Sequence, residues 1–192
     1  SLYVCSNWRA SGVMQRVLSR HFVVQNRITW EREKGRGSLT NWKSTSEDIW
    51  FATAGEDYVF AADAVKLRRS VKAPYRDVDA KPRDWQTDEV VGRTRLTHAS
   101  NFWSDVTVPF WSMPENTEHP TQKPEKLIAK LVLASSREGQ VIFDPFLGVG
   151  TTSVVARKLG RHFVGIEQDE TYACFAEKRL EQAWEDRSIQ GY

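Results

Sequence analysis

With 192 residues, 40% of them hydrophobic, the chain is long enough for one domain with a real core, and it contains no internal repeat or low-complexity tract. Its 27 lysines and arginines against 25 acids give a net charge of +2, so nothing global demands a nucleic-acid partner and any basic surface must be local. No signal peptide or membrane-spanning apolar run is read, which sets the expectation of a cytoplasmic protein without a membrane partner.

Leu2-Tyr3-Val4-Cys5 reads as a buried strand, followed by a helix from about Arg9 to Arg20 with Val13, Met14, Val17 and Leu18 on one face. Phe22 to Trp30 and Asp48 to Thr53 read as further strands, with Tyr58-Val59-Phe60 continuing the sheet through a hairpin around Ala54–Asp57. Between Trp30 and Asp48 lies a long, weakly apolar connection carrying Arg32, Lys34, Arg36 and Lys43 among glycines and hydroxyl residues. Its charges either cancel in a solvated loop or settle on phosphates. Cys5 and Cys174 lack metal-ligand spacing and are expected to pack as small apolar groups.

From Ala61 to Asn101 periodicity fades, and Lys66, Arg68, Arg69, Lys72, Arg76, Lys81, Arg83, Arg93 and Arg95 accumulate among prolines and aspartates. Arginines there could read guanines or hold phosphates, and the sequence does not choose. Asn101 to Glu118 is aromatic and proline-rich and is expected to pack across a sheet edge, with Trp103 and Trp111 as packing residues. His119–Pro124 introduces a helix with Leu127, Ile128, Leu131 and Val132 inward and Gly139 as its stop.

Val141-Ile142-Phe143 is too short for a helix and runs into Asp144-Pro145, as a buried strand does. Gly148-Val149-Gly150 follows, then a helical stretch from Thr151 to Leu159 stopped by Gly160. A second strand, Phe163 to Ile166, delivers Glu167, and Asp169 caps a last helix whose inward stripe is Tyr172, Phe175, Ala176, Leu180 and Ala183. Strand, glycine turn, helix, strand and acid make one βαβ unit. The fingerprint for a dinucleotide is incomplete, because Ser153 stands where a third glycine would be. Asp144 beside the turn would repel a pyrophosphate and suit a ligand with positive charge near its ribose, such as S-adenosylmethionine. A capping role for Asp144 fits the spacing equally well.

The paired segments Asp144-Pro145-Phe146-x-Gly148-x-Gly150-Thr151-Thr152 and His119-Pro120-Thr121-Gln122-Lys123-Pro124 resemble the signature of DNA amino-methyltransferases, and their order resembles the β-group of that family. The resemblance implies an α/β, Rossmann-like methyltransferase sheet with helices on both faces and an irregular target-recognition insertion. It implies three regions: 1–60 and 119–192 as parts of one sheet, the latter binding the cofactor, and 61–118 as target recognition. It further implies methyl transfer from S-adenosylmethionine to the exocyclic amine of adenine in double-stranded DNA. Thr121, Gln122 and Lys123 would take the methionine tail, Asp144 and Phe146 would flank the cofactor, and Gly148 and Gly150 would admit it. Thr151 and Thr152 would supply donors, and Glu167 would hold the ribose. Trp30, Arg32, Lys34, Arg36 and Lys43 are the expected DNA contacts.

The family orients the target amine with an Asp-Pro-Pro-Tyr tetrapeptide or a variant beginning with Ser or Asn, and this sequence has none, so no catalytic residue is assigned. By comparison with the family, two strands preceding Ser1 are expected, one of them lying between the strand ending at Asp144 and Leu2–Cys5. The sheet is then expected to be incomplete here, with the missing segment or a complementary chain as partner; a homodimer is left open. Cytosine as target, a non-catalytic DNA-binding subunit and a nicotinamide dehydrogenase are the rivals, the last disfavoured by Ser153 and Asp144.

Overall fold

The computed structural model describes residues 1–32, 37, 39–72 and 75–189. Two compact units make up the chain, one from Ser1–Phe60 with Asn101–Tyr192 and one from Ala61–Ser100. Residues 101–118 therefore belong with the larger unit.

In the larger unit β1 (Leu2–Ser6) leads into α1 (Trp8–Leu18), whose first turn is closed by the Asn7 side chain accepting from the amides of Arg9 at 3.0 Å and Ala10 at 3.1 Å. The inward face of α1 is not the one its apolar residues suggest. Ser11 and Leu18 are buried, with Trp50 donating its indole N–H to the Ser11 hydroxyl at 3.2 Å, whereas Val13 and Val17 are exposed.

β2 (Val23–Glu31) and β3 (Ser46–Thr53) follow, and β3 runs antiparallel between β1 and β2. β7 (Phe102–Trp103) adds to β2 in parallel, as a two-residue edge. Tyr58–Phe60 forms no strand; Phe51 holds the rings of Tyr58 and Phe60 at 5.8 and 5.9 Å instead. Trp103 is buried as expected, but Trp111 stands 90% exposed. The expectation of packed cysteines fails too: both Cys5 and Cys174 are exposed.

α2 (Glu125–Ser135) covers one face of this sheet. Leu127 and Leu131 join Ile28, Trp30, Ile49, Trp103, Val106 and Val108 in the core, and Tyr3 shares a 2.5 Å hydrogen bond with Ser135. The helix stops four residues before Gly139, because the Ser136 hydroxyl donates back to the Val132 carbonyl at 2.6 Å and Arg161 takes the Ser136 carbonyl at 2.9 Å.

β8 (Val141–Asp144), α3 (Thr151–Lys158) and β9 (His162–Gly165) form the βαβ unit, with Val141 paired to His162 and Asp144 to Gly165 in a parallel ladder. α4 (Glu170–Glu185) is capped by Asp169, whose side chain accepts from Thr171 and Tyr172.

The sheet is in two pieces. β1 ends one, β8 and β9 make the other, and no described strand joins β1 to β8. Val141, Phe143, Val164 and Ile166 of the smaller piece are exposed, as apolar strand residues are when a sheet and its cover are incomplete.

The unit Ala61–Ser100 carries a short 3₁₀ turn and a three-stranded antiparallel sheet of β4 (Leu67–Ser70), β5 (Gln86–Asp88) and β6 (Gly92–Thr97), with β6 in the middle. Among its described residues, Val65, Trp85 and Thr94 are buried.

Candidate functional site

The glycine turn after β8 is held from both sides by carboxylates. Asp144 accepts from the Phe146 amide at 3.0 Å with one oxygen and from the Thr152 hydroxyl at 2.6 Å with the other, so it both forms the turn and clamps the start of α3. Glu167 accepts from the Gly148 amide at 2.7 Å and the Asp169 amide at 2.9 Å. The Asp169 and Gly148 amides hold the Glu167 carboxyl below its ordinary range. Each carboxylate oxygen has two lone pairs, so Glu167 keeps acceptor capacity for a ligand.

The turn needs glycine at Gly150. Its φ is +80°, and a Cβ there would lie 2.7 Å from the Ala176 Cβ and 2.9 Å from the Ala176 Cα of α4. Gly148, at φ +56°, faces the His119 ring, which would touch an added Cβ at 3.4 Å. His119 in turn accepts from the Thr121 amide at 3.3 Å and meets Tyr172 edge-on at 4.5 Å. The segment before α2 thus sits against the glycine turn. Ser153, in the place of a third glycine, is buried and donates to the Gly150 carbonyl at 2.8 Å.

The structure gathers Asp144, Phe146, Gly148, Gly150, Thr151, Thr152 and Glu167 around one turn, but it gives several of them work within the protein. The Thr152 hydroxyl is engaged by Asp144, and Thr151 is buried with its hydroxyl accepting from Arg179 at 3.1 Å. Gln122 is engaged within the protein: its amide donates to the Glu115 carbonyl, and its carbonyl accepts from the Thr117 amide and hydroxyl at 2.9 and 2.7 Å. These three side chains are bonded within the protein in this arrangement. Phe146, at 89% exposed, stands on the lip, and Thr121 is exposed. Lys123 donates to the Thr121 carbonyl at 3.1 Å and pairs with Glu47 at 3.4 Å.

Among the expected DNA contacts, Trp30 is corrected. It is 1% exposed and donates its indole N–H to the Val106 carbonyl at 2.8 Å, so no base can stack on it. Arg32 lies against Trp30 and is bonded to Glu47. Lys43 is exposed, and Lys34 and Arg36 lie outside the described residues.

Two clusters were missed from sequence. At the first residues of β3, Glu47 joins Arg32 to Lys123, with one carboxylate oxygen buried and without a hydrogen bond. Cys5, at the carboxyl end of β1, pairs with Ile49 of β3, two residues beyond Glu47. The second cluster lies beneath the turn. Glu125 pairs with Lys158 at 2.8 Å and Arg179 at 3.3 Å, and Arg179 also donates to the Val149 carbonyl at 2.8 Å. Glu115 accepts from the Glu125 amide at 2.7 Å, and burial pushes its carboxyl above the ordinary range. Arg179 follows Ala176 by three residues on the inward stripe of α4, and that placement was the available signal.

A family model described as DNA methylase matches residues 5–178. The chain belongs to the DNA methylase family. Type II methyltransferase M2.DpnII of Streptococcus pneumoniae is 56% identical over 64 residues, a third of this chain (33%) and 24% of that protein. Type II methyltransferase M2.LlaDCHI of Lactococcus lactis subsp. cremoris is 52% identical over 63 residues, 33% of this chain and 23% of its own length. The matched stretch is thus about a quarter of each of these methylases. M1.HpyAVI, solved as a complex with SAM, superposes with a TM-score of 0.62 at 23% identity, covering 93% of this chain and 72% of the other. The cytosine-N4-specific PvuII DNA methyltransferase superposes with a TM-score of 0.61 at 14% identity, covering 91% and 60%. These likenesses establish the methylase fold, with its Rossmann-like sheet.

Proposed function

We propose that this chain is the cofactor-binding and DNA-recognising portion of an enzyme that transfers a methyl group from S-adenosylmethionine to the exocyclic amino group of adenine in double-stranded DNA. The observation that carries the reading is the pair of anchored carboxylates, Asp144 and Glu167, on the two sides of the glycine turn. A phosphate charge ~5 Å from Asp144 would be repelled by about 3 kcal/mol at an effective dielectric of ~20, and an ammonium or sulfonium would be attracted by as much. That difference favours S-adenosylmethionine over a dinucleotide.

S-adenosylmethionine supplies an electrophilic methyl group on a positive sulfur. The chain's own residues bind and orient it. Glu167, its orientation set by two backbone amides, accepts the ribose hydroxyls. Lys123 and the exposed Thr121 meet the methionine carboxylate, and Glu47 keeps Lys123 in place before it arrives. Phe146 covers the cofactor from the lip, while Gln122, Thr151 and Thr152 hold the walls.

The amine-orienting group belongs on a strand between β1 and β8, the two free edges of the divided sheet. We assign 1–60 and 119–192 to that sheet, joined by β7 and the packed segment 101–118, and keep 61–100 of the expected region 61–118 for target recognition. Adenine is the first reading by the resemblance of the paired motifs, and cytosine, the target named for one superposed methyltransferase, is the second.

Calorimetric titration with S-adenosylmethionine and with NAD is the direct test. Weak binding of the first and none of the second is expected, and preference for NAD would end the proposal. Labelled methyl transfer to duplex DNA should be absent for the chain alone and appear once the central strand is supplied. Nucleoside analysis of the product then separates adenine from cytosine.

A further inference from the structure

In the unit Ala61–Ser100 the strand register sorts the arginines by face. Arg69 stands directly opposite Arg95, and Thr87 opposite Arg93. Because side chains alternate along a strand, Arg69, Arg93 and Arg95 share one face. All three are exposed, and the remaining strand positions of that face are Leu67, Thr87 and Thr97, none of them acidic. Among the described residues the three make no ion pair; the acids of this unit that do are Asp63, with Lys66 and His98, and Asp88, with Arg68. The other face is of a different kind. Thr94 is buried there, and Arg68 meets Asp88 at 3.2 Å across the sheet.

Like charges directly opposite in an antiparallel pair, with Cβ atoms about 5 Å apart, destabilise the sheet. The Arg69–Arg95 pair carries that cost with no acid beside it, and a bound anion would relieve it. Width decides how DNA can supply that anion. The outer strands of a three-stranded sheet lie about 10 Å apart before their side chains are added, against a major groove about 12 Å wide. A two-stranded ribbon enters such a groove; the face of this sheet, with Arg93 and Arg95 on its middle strand, does not.

We propose that the Arg69–Arg93–Arg95 face is a phosphate-binding surface that positions the duplex by its backbone without reading its sequence. This rests on the reading of the chain as part of a DNA methyltransferase. Each arginine that neutralises a phosphate adds about 0.9 to the slope of log affinity against log salt.

The test is fluorescence anisotropy of the full chain with short duplexes of several unrelated sequences over roughly 50 to 200 mM salt. Arg69→Gln and Arg95→Gln should each lower the slope by about 0.9, so that affinity falls about 3-fold less across that range. The loss should be the same on every duplex. Arg68→Gln removes the same charge from the opposite face and should leave the slope unchanged. Arg95→Lys, which keeps the charge, should retain it. An equal effect of Arg68→Gln, or a loss confined to one duplex sequence, overturns the proposal. Titration of the same proteins with S-adenosylmethionine reports on the cofactor reading separately: its failure would leave the salt slopes of the arginine face standing.

Discussion

The glycine turn and the arginine face treat charge in opposite ways. Around the turn nearly every polar group has a partner inside the protein: Asp144 holds Thr152, Glu167 holds two amides, and Glu125 is shared by Lys158 and Arg179. On the small sheet, Arg69, Arg93 and Arg95 face outward with no ion pair among the described residues. The difference matches two kinds of ligand. A small molecule of fixed shape is bound best by groups that are already oriented and need no ordering on arrival. A long polyanion is bound by charge that stays free, and its hold weakens with salt.

Substitutions can break that contrast, beginning beneath the turn. Arg179→Met should cost about 3–5 kcal/mol of unfolding free energy in urea titrations, since it removes a cation from a buried group of acids. A loss under 1 kcal/mol would mean that Lys158 alone satisfies Glu125. Gly150→Ala should cost about 2–4 kcal/mol, combining left-handed backbone strain with a collision against the backbone of Ala176, and S-adenosylmethionine binding should fall with it. Glu47→Gln should lower stability by about 1–2 kcal/mol, because Arg32 and Lys123 lose their shared partner. Glu167→Ala should weaken S-adenosylmethionine binding roughly 10-fold or more in calorimetry, and should also lower stability at neutral pH by the little that its two amide bonds contribute.

Acid sharpens the same point. The Glu167 carboxyl is held below its unfolded value, so its contribution is present above about pH 4.3 and is lost as pH falls through the lower folded value. Glu167→Gln should therefore reduce the steepness of acid unfolding in that window. At the small end, Arg95→Gln should leave the unfolding midpoint unchanged or raise it, the reverse of every substitution near the turn.

What was legible in the sequence was local. The βαβ unit, the glycine turn and its two acids lie within a short stretch in which turn chemistry and apolar runs carry the information. The structure forms them in that order, though Val141 and Phe143 of the strand read as buried stand exposed and the second strand is His162–Gly165. The divided sheet was legible by resemblance alone. Trp30 was misread because a tryptophan at a strand end beside basic residues looks available, whereas α2 covers its face of the sheet and its ring joins the core with Leu127 and Leu131. The turned face of α1 has a similar cause: Ser11 points inward because it meets the Trp50 indole, a partner 39 residues away. Glu47 and Arg179 had no readable partners, since Arg179 meets Glu125 across 54 residues. Such pairs are set by how helices and strands come to lie together, which periodicity does not report.

The contact between Gly150 and Ala176 reaches beyond the turn itself. With the methyl group of Ala176 already pressed on bare backbone, neither partner can grow, and the last helix fixes how high the loop stands. A bulkier residue at position 176 would push against the Gly150 backbone and lift the whole turn, so the height of this loop is set from a helix that begins twenty residues further along the chain.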